Sequence, residues 1–189
     1  MTWLYDSHIH LSDAEYEDEI PVIMNSMKRL SIKACCVSMD YSSSTKTLEL
    51  GEQSDLVLPF IGVHPEKAQD DAESVFKMID ENNAKISGIG EIGLDTTYTN
   101  SDEEFKKQEE VFKTQLSLAE KFVKPVSIHS RKTLDEILEI LPSYKVPSVL
   151  LHWFDGSKKQ LQKAMDLQCY VSFGPVMAVS YTHLRAHET

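Results

Sequence analysis

The amino-acid sequence predicts an α/β protein, a (β/α)8 TIM-type barrel truncated after its seventh strand. Three observations predict it. Short apolar runs rich in Val, Ile and Leu alternate along the chain with segments of helical period. The runs are continuously apolar rather than alternating, as strands are in a parallel sheet covered by helices. Five histidines and one glutamate stand at or next to the C-terminal ends of those runs, the rim on which barrels of this class build their sites.

The elements follow in order. Residues 3–5 are the first strand, and "DSHIH" follows it directly. Residues 15–30, "EYEDEIPVIMNSMKRL", carry Ile20, Ile23, Met24, Met27 and Leu30 on one helical face. "IKACCVSM" is the second strand and "LVLPFIGV" the third, ending at His64. A helix around Val75, Met78 and Ile79 precedes the fourth strand, "KISGIGEIG". A long helix follows, with Phe105, Phe112, Leu116 and Ala119 on one stripe. "PVSIH", a helix with Leu134, Ile137, Leu138 and Leu141, and "SVLLH" come next. A helix with Leu161, Ala164 and Met165 leads into the seventh strand, "CYVSFG". A doubly wound open sheet is the alternative, but no strand ends in the Gly-x-Gly-x-x-Gly turn that would support it.

Composition narrows the classes of function. The chain has 189 residues, 26% charged and 41% hydrophobic, enough for one domain with a core. A whole barrel usually needs about 250 residues. No apolar run is long enough to span a membrane, and Asp6 and His8 interrupt the start before any signal-peptide core could form. Cys35 and Cys36 lie together in an apolar run and Cys169 stands apart, which suits buried thiols in a reducing cytoplasm. A net charge of −11 argues against a broad basic surface for nucleic acid. It leaves room for an enzyme that meets phosphate through bound cations.

His8 and His10 sit two apart at the end of a strand, so their imidazoles point the same way. His64, His129 and His152 end the third, fifth and sixth strands. Imidazole is the commonest metal ligand, and these five are expected to converge on one mouth. Glu91 follows "GIG" in the fourth strand, and a carboxylate among imidazoles can bridge two cations. Arg131 follows His129 in "HSR", where its planar fork suits a pair of phosphate oxygens. Tyr98, Trp3 and Trp153 could stack on a base, although core packing is the expectation for all three.

"DSHIHL", "IGVHPE", "GIGEIGLD", "KPVSIHSR" and "LHWFDGS", in that order, resemble the TatD-type metal-dependent deoxyribonucleases of the amidohydrolase superfamily. The likeness runs from residue 5 to about residue 176. It implies that His8 and His10 bind one divalent cation, that Glu91 bridges two, and that His129 and His152 bind the second. It implies that His64 lines the substrate side, as a phosphate contact or proton donor, with Arg131 as a clamp. The cations would be Zn, Mn or Mg, with Mg least suited to so many nitrogens. The implied activity is 3′ exonuclease cleavage of single-stranded DNA ends, with neither a membrane nor an obligate protein partner. Asp155 departs from the pattern, which usually has Ser or Thr there, and the family's aspartate after the eighth strand has no counterpart.

Two other readings stand beside this one. An ester or amide hydrolase of the same superfamily, such as a D-aminoacyl-tRNA deacylase, would use similar ligands. A non-catalytic fragment is the other. The end of the chain, "VSYTHLRAHET", resembles a translated sequencing-library adaptor. Residues 1–178 are therefore expected to be an incomplete barrel domain and 179–189 a non-native tail, with Ala178 ambiguous. His183 and His187 are then set aside as ligands. Without an eighth strand and its aspartate, the chain as written is expected to be inactive and prone to aggregate.

Overall fold

The structure is a computed structural model and describes residues 2–174. Seven strands form one parallel sheet: β1 (Leu4–Ile9), β2 (Ile32–Val37), β3 (Val57–Ile61), β4 (Gly88–Gly93), β5 (Val126–His129), β6 (Val149–Leu151) and β7 (Tyr170–Val171). Their spatial order is their sequence order, each strand beside the next. A doubly wound sheet would reverse direction part-way, so the chain is singly wound. Six helices connect the strands: α1 (Ile20–Leu30), α2 (Tyr41–Gln53), α3 (Ala72–Glu81), α4 (Asp102–Phe122), α5 (Leu134–Ile140) and α6 (Lys158–Asp166).

The sheet curls strongly. In a flat sheet, β1 and β5 would lie about 19 Å apart and β1 and β6 about 24 Å apart. Here His8 Nδ1 is 2.8 Å from Ser127 Oγ on β5, and the His8 ring stacks on His152, just past β6, with centroids 3.4 Å apart. Side chains from opposite sides of the sheet therefore meet across its mouth, as in a barrel. Among the described residues β1 pairs only with β2, and β7 only with β6. Leu4, Tyr5 and Tyr170 on those outer strands are exposed.

The main core lies between the sheet from β3 onward and helices α3 to α6, with Phe112, Leu116, Ile92 and Ile128 fully buried. A smaller cluster packs α1 and α2 onto β2 through Met27, Ala34, Cys36 and Leu50. The first strand reaches Ile9 rather than stopping at Tyr5, so His8 lies within it and His10 just beyond. The first helix begins at Ile20, with Pro21 in its opening turn, behind a short 3-10 turn at Ala14–Tyr16. Leu30, expected on the buried face, is 63% exposed.

Helix α2 has no counterpart in the sequence reading. Its buried face is made by Ser44, Thr47 and Leu50 rather than by an apolar stripe. The Ser44 and Ser38 hydroxyls meet at 2.8 Å, and Thr47 Oγ1 faces Cys36 Sγ. Asp40 starts the helix with a reciprocal cap. Its Oδ1 accepts from Ser43 N–H at 2.8 Å, and its own N–H donates to Ser43 Oγ at 3.0 Å. Among the described residues no helix is long and apolar enough to cross a membrane.

Candidate metal centre

Glu91 lies in β4, is 3% exposed, and has imidazoles on both of its oxygens. His10 Nε2 stands 3.1 Å and His8 Nε2 3.5 Å from Oε2. His129 Nδ1 stands 3.1 Å and His64 Nε2 4.0 Å from Oε1. The glycines of "GIGEIG" allow this crowding. Gly93 holds φ at +144°, and a Cβ there would come within 2.0 Å of the His129 carbonyl oxygen. Two buried glutamines of α4 fasten the loops that carry these side chains. Gln115 accepts from Val63 N–H and donates to Val63 O, and Gln108 donates to Pro65 O and Asp95 O.

The hydrogen bonds decide which ring nitrogens face the cluster. His8 presents Nε2 because Nδ1 meets Ser127 Oγ. His129 donates from Nε2 to Asp95 Oδ2 at 2.7 Å, which leaves Nδ1 facing Glu91 Oε1 at 3.1 Å, where it carries a proton while the ring is charged and would offer its lone pair to a cation once the ring is neutral. His64 differs. Its Nδ1 accepts from Glu66 N–H at 3.2 Å, so the neutral ring carries its proton on Nε2, the nitrogen nearest Glu91. His10 Nδ1 is buried without a partner among the described residues.

Burial and charge pull the titrating groups apart. Burial would raise the Glu91 carboxyl, but hydrogen bonds from His10, His129 and His8 outweigh it and hold Glu91 well below the usual carboxylate range. Burial would likewise lower His129, but Glu91 and Asp95 win and raise it. His64 is pushed down to about 4, chiefly by burial. His152 is pushed down to about 3, by burial and then by charge repulsion from the neighbouring His8.

The residues fit a metal ion. His8 Nε2, His10 Nε2 and Glu91 Oε2 form a triangle with edges of 3.2, 3.1 and 3.5 Å. Ligands at zinc-like bond lengths in a tetrahedron stand about 3.3 Å apart, so three donors already sit on one face of such a shell. Glu91 Oε1, His129 and His64 form a second, wider group. His152 lies against the first group through its stack on His8. Its Nδ1 is 3.4 Å from Ser172 Oγ. Arg131 is exposed in the turn after β5, and its guanidinium makes no hydrogen bond or ion pair among the described residues.

Several features were not anticipated from sequence. Asp95 and Ser127 orient His129 and His8, and both left a trace. Asp95 closes the "GIGEIGLD" motif, and Ser127 precedes His129 by two residues on the same strand face. Tyr98, Trp3 and Trp153 are not core residues, being 41%, 38% and 55% exposed. Their loops hold the rings outside the packed layers; Trp153, for example, sits with φ at 48° in the turn after β6. His183, His187 and the tail 179–189 lie outside the described residues.

In the metal-free protein two opposite proton linkages meet. The unfolded chain protonates His64 and His152 below about pH 6.5, whereas the fold keeps them neutral to about 4 and about 3. The unfolded state then binds more protons, so stability falls on acidification below about 6.5. Glu91 adds to that acid loss, because its folded value is depressed. The contribution of His129 has the other sign. It is complete below about 6.5 and is lost as pH rises through its raised folded value. Urea midpoints of metal-free protein are therefore expected to peak near pH 6.5. A midpoint that climbs steadily from about pH 5 to 8 would contradict this assignment.

A family model described as TatD related DNase matches residues 5–187. The chain is 31% identical over 176 residues to the uncharacterized metal-dependent hydrolase YabD of Bacillus subtilis, covering 90% of this chain and 68% of that protein. It is 27% identical to deoxyribonuclease TATDN3 of Homo sapiens, covering 91% and 68%. Its fold superposes on that of YjjV, a TatD homologue from Escherichia coli, with a TM-score of 0.79 at 23% identity, covering 89% and 66%. The chain thus spans about two thirds of the length of each.

Proposed function

The chain belongs to the TatD related DNase family, and on that premise we propose that its protein is a metal-dependent phosphodiester hydrolase, a 3′ exonuclease on single-stranded DNA ends that uses two divalent cations. The observation that carries this reading is the division of labour on Glu91, with His8 and His10 on one carboxylate oxygen and His129 on the other. A carboxylate flanked in this way is suited to bridge two cations. His152 would join His129 at the second, using Nε2, since Nδ1 faces Ser172. The mixed nitrogen and oxygen donors suit Zn or Mn better than Mg.

Bound divalent cations supply charge neutralisation at the phosphoryl oxygens and acidify an attacking water. The rest falls to the chain's own groups. Glu91, kept ionised by its imidazole neighbours, holds negative charge at the centre. His64 acts as a fixed donor: its Nε2–H points into the cluster because Glu66 N–H occupies Nδ1. A neutral imidazole held in one tautomer stabilises developing charge on a phosphoryl or leaving oxygen without carrying a net charge of its own. Arg131, exposed at the same rim, would clamp a non-bridging oxygen. The acidic chain, at −11, would then meet DNA through these few groups rather than through a basic surface.

The test is an oligonucleotide labelled at either end and incubated with Mn and the protein carrying a complete eight-stranded barrel. Mononucleotide release from the 3′ end, abolished by chelation, is the expected result. Absence of metal-dependent DNA cleavage would overturn the proposal. So would much faster hydrolysis of an aminoacyl ester, which would assign the site to a deacylase.

A further inference from the structure

Asp95 lies two residues beyond β4 and takes no direct part in the chemistry above. It is fully buried and both of its oxygens are engaged. Oδ1 accepts from Thr97 N–H at 2.8 Å and from the Thr97 hydroxyl at 2.6 Å. Oδ2 accepts from His129 Nε2–H at 2.7 Å. The backbone is held as well, since Asp95 N–H donates to Gln108 Oε1 at 3.0 Å and Asp95 O accepts from Gln108 Nε2 at 3.1 Å. The same Gln108 Nε2 also donates to Pro65 O at 3.1 Å, next to His64. The Asp95 carboxylate is thus fixed relative to both the His129 strand and the His64 loop.

We infer that Asp95 is a positioning residue that acts through His129 on one of two cation positions, the one at Glu91 Oε1, and leaves the other untouched. The inference rests on the metal-centre reading. Its force comes from a contrast among the three imidazoles closest to Glu91. His8 has only the uncharged Ser127 hydroxyl behind it. His10 Nδ1 has no partner among the described residues. His129 alone has a carboxylate. A carboxylate behind a ligating imidazole fixes its tautomer and makes its free nitrogen a stronger donor. The two positions are therefore built differently. The one at His8 and His10 depends on three donors already gathered into a triangle, and the one at His129 depends on Asp95.

The experiment titrates the metal-free 189-residue chain with Mn, comparing the wild type with Asp95→Ala and Asp95→Asn. A parallel titration of His10→Ala identifies which binding step belongs to which position. The step that survives His10→Ala is expected to weaken by about 10–100-fold in Asp95→Ala, while the other step stays within about twofold. Asp95→Asn, which keeps the acceptor shape without the charge, should fall between and carries the test if the alanine variant does not fold. Nitrogen-15 spectra of the neutral His129 ring provide a readout free of metal. The proton should sit on Nε2 in the wild type and move toward Nδ1 in Asp95→Ala. Equal weakening of both steps, unchanged affinities or an unmoved tautomer would overturn the inference. A wild-type chain that takes up no cation would overturn the metal-centre reading as well, whereas wild-type uptake with unchanged variants would overturn this inference alone.

Discussion

In the protein carrying a complete barrel, replacing Glu91 by alanine is expected to empty the metal centre and reduce DNA hydrolysis by at least about 10³-fold, the upper end for losing a single transition-state donor. The loss should be this large because one carboxylate faces four imidazoles. His8 and His10 face Oε2, and His129 and His64 face Oε1. Metal analysis should show neither position retained near stoichiometry. A second readout is the stability gained on adding metal. At a free cation concentration of about 1,000 times Kd, each site contributes about 4.1 kcal/mol to folding. The variant should lose that increment while its metal-free form still unfolds cooperatively. Wild-type metal content and rate in the variant would make Glu91 a bystander.

Replacing His64 should separate binding from chemistry. His64→Ala is expected to lower kcat by about 10²–10³-fold with both cations still bound. The reason is the tautomer: with Nδ1 accepting from Glu66 N–H, the nitrogen that approaches Glu91 Oε1 carries a hydrogen and cannot offer a lone pair. His64→Asn, which restores an N–H donor at shorter reach, should recover part of the rate. If His64→Ala instead lost one cation, His64 would be a ligand, as its grouping with Glu91 and His129 would also allow.

Much of this was legible in the sequence because two physical patterns coincide. Parallel strands buried on both faces read as continuous Val, Ile and Leu runs, and the polar residue closing each run marks the rim. That is why the ring containing His8, His64, Glu91, His129 and His152 could be read before the fold was known. Helix α2 was illegible for the opposite reason. Its inner face is built from Ser44 and Thr47, which satisfy their hydroxyls on Ser38 and Cys36, so no apolar stripe announces it. The exposure of Tyr98 and Trp153 was missed because aromatic character alone does not say whether a loop holds a ring in or out. The supporting roles of Asp95 and Ser127 depend on contacts between strands, which periodicity within one strand does not reveal. The pairing of His64 with Glu66 is local, but only the backbone angles of the turn after β3 bring it about.

The central claim is that the buried carboxylate of Glu91 is shared by two divalent cations. Anomalous diffraction from crystals of the protein loaded with Mn tests it most directly. Two peaks are expected, both within coordination distance of Glu91, one on the side of His8 and His10 and the other on the side of His129. A single peak away from Glu91, or no peak at saturating metal, would contradict the account.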